Sequence, residues 1–251
     1  MAGTVKMLLS MDAALGVNRT KDLEYDEDGY CKVVLSVLDI PNSVGLPYAS
    51  KPFISVLNNS EGFRRRVLNG QCYGENGHPK PFGMTKMEFF ERCQMIEETR
   101  HMFHIKDIPY PEVFTDVKTG KRLLGIMGWI KPSGAYGEVL QKQLDNPNEN
   151  VGFSLRGIAP VNPATMQKEL RSLVTWDRVT EVGLPGSWIL NTRTKEVSME
   201  SFEIAIELSE EEQESALVSL ESNEEREALR EAFTAFREKP VGFNIQKPKY
   251  L

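Results

Sequence analysis

Residues 151–158 read Val-Gly-Phe-Ser-Leu-Arg-Gly-Ile, an apolar run of strand length punctuated by glycines rather than helix caps. Gly152 and Gly157 permit close backbone approach around Ser154, and the amides of Leu155 and Arg156 are candidates for stabilising an oxyanion. The run is not the G-x-S-x-G elbow of α/β hydrolases, because position 156 is Arg. By pattern alone, a core strand carrying an incidental serine is the simpler reading.

Strand-like stretches flank this run on both sides. They are Val5–Ser10, Lys32–Leu38, Phe53–Leu57, Leu123–Ile130, Leu173–Val182 and Val197–Leu208. The last alternates apolar residues at Phe202, Ile204, Ile206 and Leu208, as a half-buried strand should. Three helices are expected to interrupt the pattern. Thr85 with Glu88 forms a capping box for a helix over about 86–98. Another spans about 134–145, with Tyr136, Val139, Leu140 and Leu144 on one face. A third is expected to start at Asn162–Pro163, with Asn as cap and Pro in the first turn. The C-terminal segment opens with Ser209 and Glu212, with a second capping box at Ser222 and Glu225. Together these elements predict a β-rich α+β domain over 1–208 and an acidic helical tail over 209–251, a segment suited to processing or regulation.

Charge supports that division. The chain carries a net −6, yet residues 198–238 alone hold thirteen Glu against three Arg, leaving the remainder about +4. Such a segment is either a solvated helix face or an appendage that docks on a more basic body. Apolar runs are strand-sized, well short of the roughly 20 residues a bilayer requires, and Met1–Met11 does not read as a secretory signal. Three scattered cysteines, Cys31, Cys72 and Cys93, point to a reducing compartment without disulfides. A pI near 5.3 and no basic stripe beyond Arg64–Arg65–Arg66 argue against direct nucleic-acid binding.

Neutral-pH base chemistry must draw on three histidines, His78, His101 and His104. His104 lies in Met102–Ile108, which reads as a strand; His101, three residues earlier, should point to the opposite face. His78 sits in the loop Gly74–Glu75–Asn76–Gly77–His78–Pro79, which reads as a structural turn. No metal-ligand spacing is evident, and no metal or other cofactor is expected.

Taken together, these segments resemble the prohead core (capsid-maturation) proteases of tailed phages of T-even and giant-phage type. The G-E-x-x-H-P loop is matched by Gly74, Glu75, His78 and Pro79. An S-H-I strand corresponds to Phe103–His104–Ile105, with Phe in place of Ser. A P-x-G turn and helix follow at Pro132–Gly134 through Leu144. A G-x-S-x-R-G strand is matched by Gly152, Ser154, Arg156 and Gly157, and a D-x-V strand by Asp177–Val179, with Pro185–Ser187 nearby. The resemblance covers about residues 70–190.

The resemblance implies a fold like herpesvirus assemblin, a β-barrel-like antiparallel sheet surrounded by helices. It implies a serine endopeptidase with Ser154 as nucleophile and His104 as base. Asp177 would orient the imidazolium, with Glu181 and His78 as alternative third members. Leu155, Arg156 and Gly157 would support the oxyanion. Expected substrates are phage scaffold or core and capsid proteins, cleaved after Glu inside the assembling prohead in the host cytoplasm, without membrane or nucleic-acid partners; a homo-oligomer is left open. Giant-phage members favour S-x-E sites. Triplets of that form occur at Ser198–Glu200, Ser201–Glu203 and Ser219–Glu221, the last between two capped helices and so a candidate self-processing point. Two rivals stand beside this reading: a non-catalytic structural phage protein on a similar barrel, and a metal-dependent hydrolase using Glu75 and the three histidines.

Overall fold

The serine-bearing run becomes an interior strand because its residues leave no face for solvent. The computed structural model describes residues 5–11, 13–15, 23–42, 45–115, 120–146, 149, 151–180 and 202–218, with a few single positions between 223 and 231. In chain order the strands are β1 (Val5–Met11), β2 (Ala13–Leu15), β3 (Cys31–Leu38), β4 (Tyr73–Glu75), β5 (His101–Asp107) and β6 (Glu112–Thr115). They continue with β7 (Arg122–Pro132), β8 (Gly152–Ile158), β9 (Val161–Asn162), β10 (Gln167–Lys168), β11 (Ser172–Val179) and β12 (Phe202–Leu208). The helices are α1 (Ser50–Asn59), α2 (Glu61–Leu68), α3 (Lys86–Gln94), α4 (Gly137–Asp145) and α5 (Glu210–Val218).

Two five-stranded antiparallel sheets result. One has the order β11-β8-β1-β12, with β2 also on β8; the other has the order β3-β7-β5-β4, with β6 on β7. All of β8 is buried. The sheets curl together at their edges, where β4 runs beside β11. There Thr175 Oγ1 donates to the Tyr73 carbonyl at 2.7 Å, and the Gly77 amide donates to the Arg178 carbonyl at 2.8 Å. On the other side β2 lies against β3. The expected barrel-like antiparallel sheet thus takes the form of a curled half-barrel of two sheets with few helices.

Apolar side chains fill the space between the sheets. Phe103 of β5 meets Phe153 of β8 edge-on at 5.2 Å, and Phe63 of α2 meets Trp176 of β11 at 5.8 Å. The indole finds its partner inside this layer, donating from Nε1 to Ser36 Oγ at 2.9 Å. That satisfies the one polar atom that burying a tryptophan brings along.

Among the helices, α3 carries the expected capping box, with both reciprocal Thr85–Glu88 bonds formed. Two expectations are corrected. Phe53–Leu57 lies in a helix: its buried members, Phe53 and Leu57, are four apart and share one face of α1, a period the short window did not distinguish from a strand. No helix follows Asn162–Pro163. Asn162 instead closes a turn, its side chain accepting from the Ala164 amide at 2.9 Å and its carbonyl from Met166. Met166 adopts φ 53°, and the chain returns as the β9–β10 hairpin. Asn favours turns and helix caps through the same side-chain bond, so the residue alone does not choose between them. At the C-terminal end, α5 packs on α3 and buries Gln213 and Leu217. Positions 219–222 and 232–251 of the expected tail lie outside the described residues.

Gly157 is required by close approach: a Cβ there would stand 2.3 Å from the Ser172 carbonyl oxygen across the ladder. We expect Gly157→Ala to cost about 1–3 kcal/mol or more. The shift of the denaturant midpoint at unchanged slope measures it.

Candidate active site

The site begins with a register shift. Between Leu173 and Thr175 the β8–β11 ladder slips by one residue, after which Asp177 stands directly opposite Ser154. In a sheet, a one-residue slip moves every following side chain to the other face. Trp176 therefore joins the core, and Asp177 shares the outer face with Ser154. Arg156, two residues beyond Ser154, lies on that face too.

The Gly74–Pro79 loop is clamped over this face. Gly74 lacks room for a side chain, since a Cβ would lie 2.1 Å from Phe103 and 2.3 Å from the Trp176 carbonyl. That closeness lets the Glu75 amide donate to Asp177 Oδ1 at 3.1 Å. Gly77, at φ +77°, turns the chain back, and His78 Nδ1 comes within 2.9 Å of Asp177 Oδ2. A carboxylate accepts only, so Nδ1 carries a proton, and in the neutral ring it is Nε2 that has the lone pair. His78 Nε2 and Ser154 Oγ are both buried without a hydrogen-bond partner. Leaving such an atom unpaired costs about 1–3 kcal/mol; His104 Nε2 is buried and unpartnered too, so what sets His78 and Ser154 apart is their common neighbour, Asp177.

Beneath the loop lies a buried ionic cluster. Arg156 Nη2 donates to Asp177 Oδ1 and to Glu75 Oε1, each at 3.0 Å, and Nη1 donates to the Met95 carbonyl at 2.8 Å. Arg92 of α3 grips both Glu75 oxygens. Burial alone would push the Asp177 carboxyl up. The Arg156 charge and the His78 hydrogen bond outweigh it and hold the group below the ordinary carboxylate range.

The structure does not bring His104 to Ser154. On β5, Phe103 takes the core face and packs on Phe153, so His104 and Ser154 leave their strands on opposite sides of that aromatic layer. His104 Nδ1 instead meets the Tyr30 hydroxyl at 3.0 Å, and burial pushes its pKa down. The expected opposition of His101 and His104 is corrected as well. A bulge in the β4–β5 ladder at Gly74/Glu75 places both beside the Tyr73 ring, His101 stacked at 4.2 Å and His104 edge-on at 5.1 Å.

Leu155 is buried in the core and pairs with Trp176, Arg156 pairs with Thr175, and Gly157 pairs with Leu173 and Ser10. That pairing commits this stretch of backbone to the sheet, and the Arg156 guanidinium is engaged with carboxylates. Glu181 and Pro185–Ser187 lie outside the described residues. Among the described residues no three His, Cys, Asp or Glu side chains gather as metal ligands. The cysteines are free and buried, with thiols pushed up by burial to about 11 for Cys31 and about 12 for Cys72 and Cys93, so none is a ready thiolate.

A carboxylate paired across the ladder with a serine and bonded to an imidazole from the adjoining loop supplies the groups with which acyl-transfer hydrolases work, and sequence comparison places the chain among the peptidases. Residues 9–244 match the Peptidase S80 family, to which this chain belongs. The chain is also 30% identical, over 187 residues, to the capsid maturation protease of Pseudomonas phage phiKZ, covering 72% of this chain and 68% of that protein. The structure of the bacteriophage T4 capsid assembly protease, gp21, is similar at 14% identity and a TM-score of 0.38, over 72% of this chain and 95% of that one. The family match and the phiKZ relative show the resemblance to phage prohead proteases read from five short motifs.

Because the Asp177 carboxyl is held low, the stability it contributes is complete above its unfolded-state pKa, about 3.9, and disappears as pH falls through the lower folded value. Asp177→Asn should therefore destabilise the protein at pH 7, and the difference from wild type should shrink as the pH is lowered below about 3.9. Denaturant unfolding of both proteins across that range measures the difference.

Proposed function

We propose that this protein is a serine endopeptidase of phage prohead maturation, with Ser154 as nucleophile, His78 as general base and Asp177 as the residue that orients His78. One observation carries the assignment. His78 is fixed through Nδ1 to Asp177, directly across the ladder from Ser154, while its Nε2 and the Ser154 Oγ are buried and unpartnered. His104 has no such relation to either residue.

The chemistry follows from these contacts. A serine hydroxyl is a poor nucleophile until a base takes its proton. His78 Nε2 accepts the Oγ proton as Oγ bonds to the scissile carbonyl carbon. Asp177 accepts the Nδ1–H bond and stabilises the imidazolium. His78 then returns the proton to the departing amine, leaving an acyl-enzyme that water hydrolyses by the same path in reverse. General-base assistance of this kind is worth roughly 10²–10⁴-fold.

The substrates we assign are phage scaffold and capsid proteins, because the phiKZ relative is a capsid maturation protease. The place of action is the assembling prohead within the host cytoplasm, and the favoured site follows Glu. Self-processing at Ser219–Leu220–Glu221 belongs to the same proposal; that triplet lies outside the described residues.

Wild type, Ser154→Ala, His78→Ala and His104→Ala, incubated with cognate scaffold protein and followed by intact mass, test the assignment. Ser154→Ala and His78→Ala should lose cleavage by roughly 10²-fold or more, and His104→Ala should stay within about tenfold of wild type. Loss on His104→Ala with survival of His78→Ala would return the base to His104. Ser154→Ala should also fold at least as stably as wild type, since it removes an unpaired buried hydroxyl. Self-processing predicts that Glu221→Gln alters the mass of the mature product; an unchanged mass removes that part alone.

A further inference from the structure

We propose that Arg156 and Glu75 are positioning residues of this site. Arg156 holds Asp177 as a fixed anion with one oxygen turned to His78, and Glu75 tethers Arg156. The inference rests on the assignment of Ser154, His78 and Asp177 above.

Asp177 has two oxygens with different work. Oδ1 receives the Glu75 amide at 3.1 Å and Arg156 Nη2 at 3.0 Å, so the carboxylate cannot turn about its own axis without breaking two bonds. Oδ2 is thereby left for His78 Nδ1. Arg156 is itself fixed, by Glu75 Oε1 and the Met95 carbonyl. Glu75 is held in turn by Arg92 and by the Glu97 amide at 2.8 Å.

Charge balance explains why both residues are needed. Asp177 is faced by Glu75 from β4, His78 from the next turn, Arg156 from β8, and Arg92 and Cys93 from α3; Arg100 reaches Glu75 at 3.5 Å. The Cys93 thiol is neutral. Two buried carboxylates thus meet the buried Arg156, while the more exposed Arg92 and Arg100 reach Glu75 and Arg92 is shared with Glu97. Removing Arg156 takes away the guanidinium bonded to Asp177 and leaves that carboxylate beside the Glu75 anion, and such pairs take up a proton. A proton gained by the Asp177–His78 pair removes either the base or its anchor. Removing Glu75 as well restores the balance.

The test is the pH dependence of kcat/KM on cognate scaffold protein for four variants, with Ser154→Ala as control. Arg156→Met should move the acid limb up by roughly one to three pH units, with a matching roughly 10- to 10³-fold loss below it. Glu75→Gln should move it down. The double variant should recover at least about tenfold over Arg156→Met, and Arg156→Lys should keep the wild-type limb. A merely structural role predicts losses independent of pH and a double variant worse than either single. Coincident limbs, or a double no better than Arg156→Met, overturn the proposal. If Arg156→Met fails to fold, Glu75→Gln decides alone: a downward shift supports the proposal, and none overturns it. Activity surviving in Ser154→Ala would instead overturn the underlying assignment.

Discussion

The bulge at Val174 is the constraint from which the site follows. Before it, residues of β11 pair with β8 in a register that would turn Asp177 toward the core; after it, Asp177 faces the same way as Ser154 and Arg156. The same slip seats Trp176 between the sheets, where its indole bonds to Ser36. Core and site are therefore set by one event, and a change that straightened β11 would disturb both. Bulges cluster near active sites for this reason: they re-aim a side chain without moving the strand that carries it.

Burying Glu75, Asp177 and Arg156 together carries a cost that the pairing only partly offsets. Desolvating an ion costs several kcal/mol, and an apolar cluster of equal volume is often more stable. Ser154 Oγ and His78 Nε2 add unpaired polar atoms to the same region. A sequence selected for stability alone would fill this space otherwise. The surrounding ladder tolerates the cost because β8 is paired on both sides and packed on Phe103 and Leu170.

Much of the framework was legible. The run at 151–158 declared a buried strand, period-two alternation marked β12, and Thr85 with Glu88 marked the start of α3, which ends at Gln94, short of the expected 98. What failed has a common cause. The faces of β5 depend on which neighbour fills the core, and Phe103 rather than His104 does; nothing within Met102–Ile108 says so. The bulges at Val174 and Gly74 arise from pairing between distant strands, so neither the Asp177–Ser154 opposition nor the shared side of His101 and His104 is written in local pattern. His78 was visible as the end of a turn and as an alternative third member, but not as the partner of Asp177 beside Ser154. Gly74, the adjoining Glu75 and Gly77 were the signal that this turn lies tight against something, since glycines at close approach and at positive φ are what such a clamp requires.

The spacing Ser154-x-Arg156 can now be read physically. In a hydrolase elbow the residues around the nucleophile are small because the chain turns sharply there. Here Ser154, the nucleophile we propose, stays within an interior strand, and a residue two positions on must share its face. That position is the one from which a long cationic side chain reaches the acid opposite the serine. Arg156 therefore excludes the elbow and at the same time marks where the acid must stand. A lysine would carry the charge, but the guanidinium donates to Met95 with one nitrogen while the other bridges Glu75 and Asp177. A planar fork with fixed donor directions holds that three-way contact in one geometry.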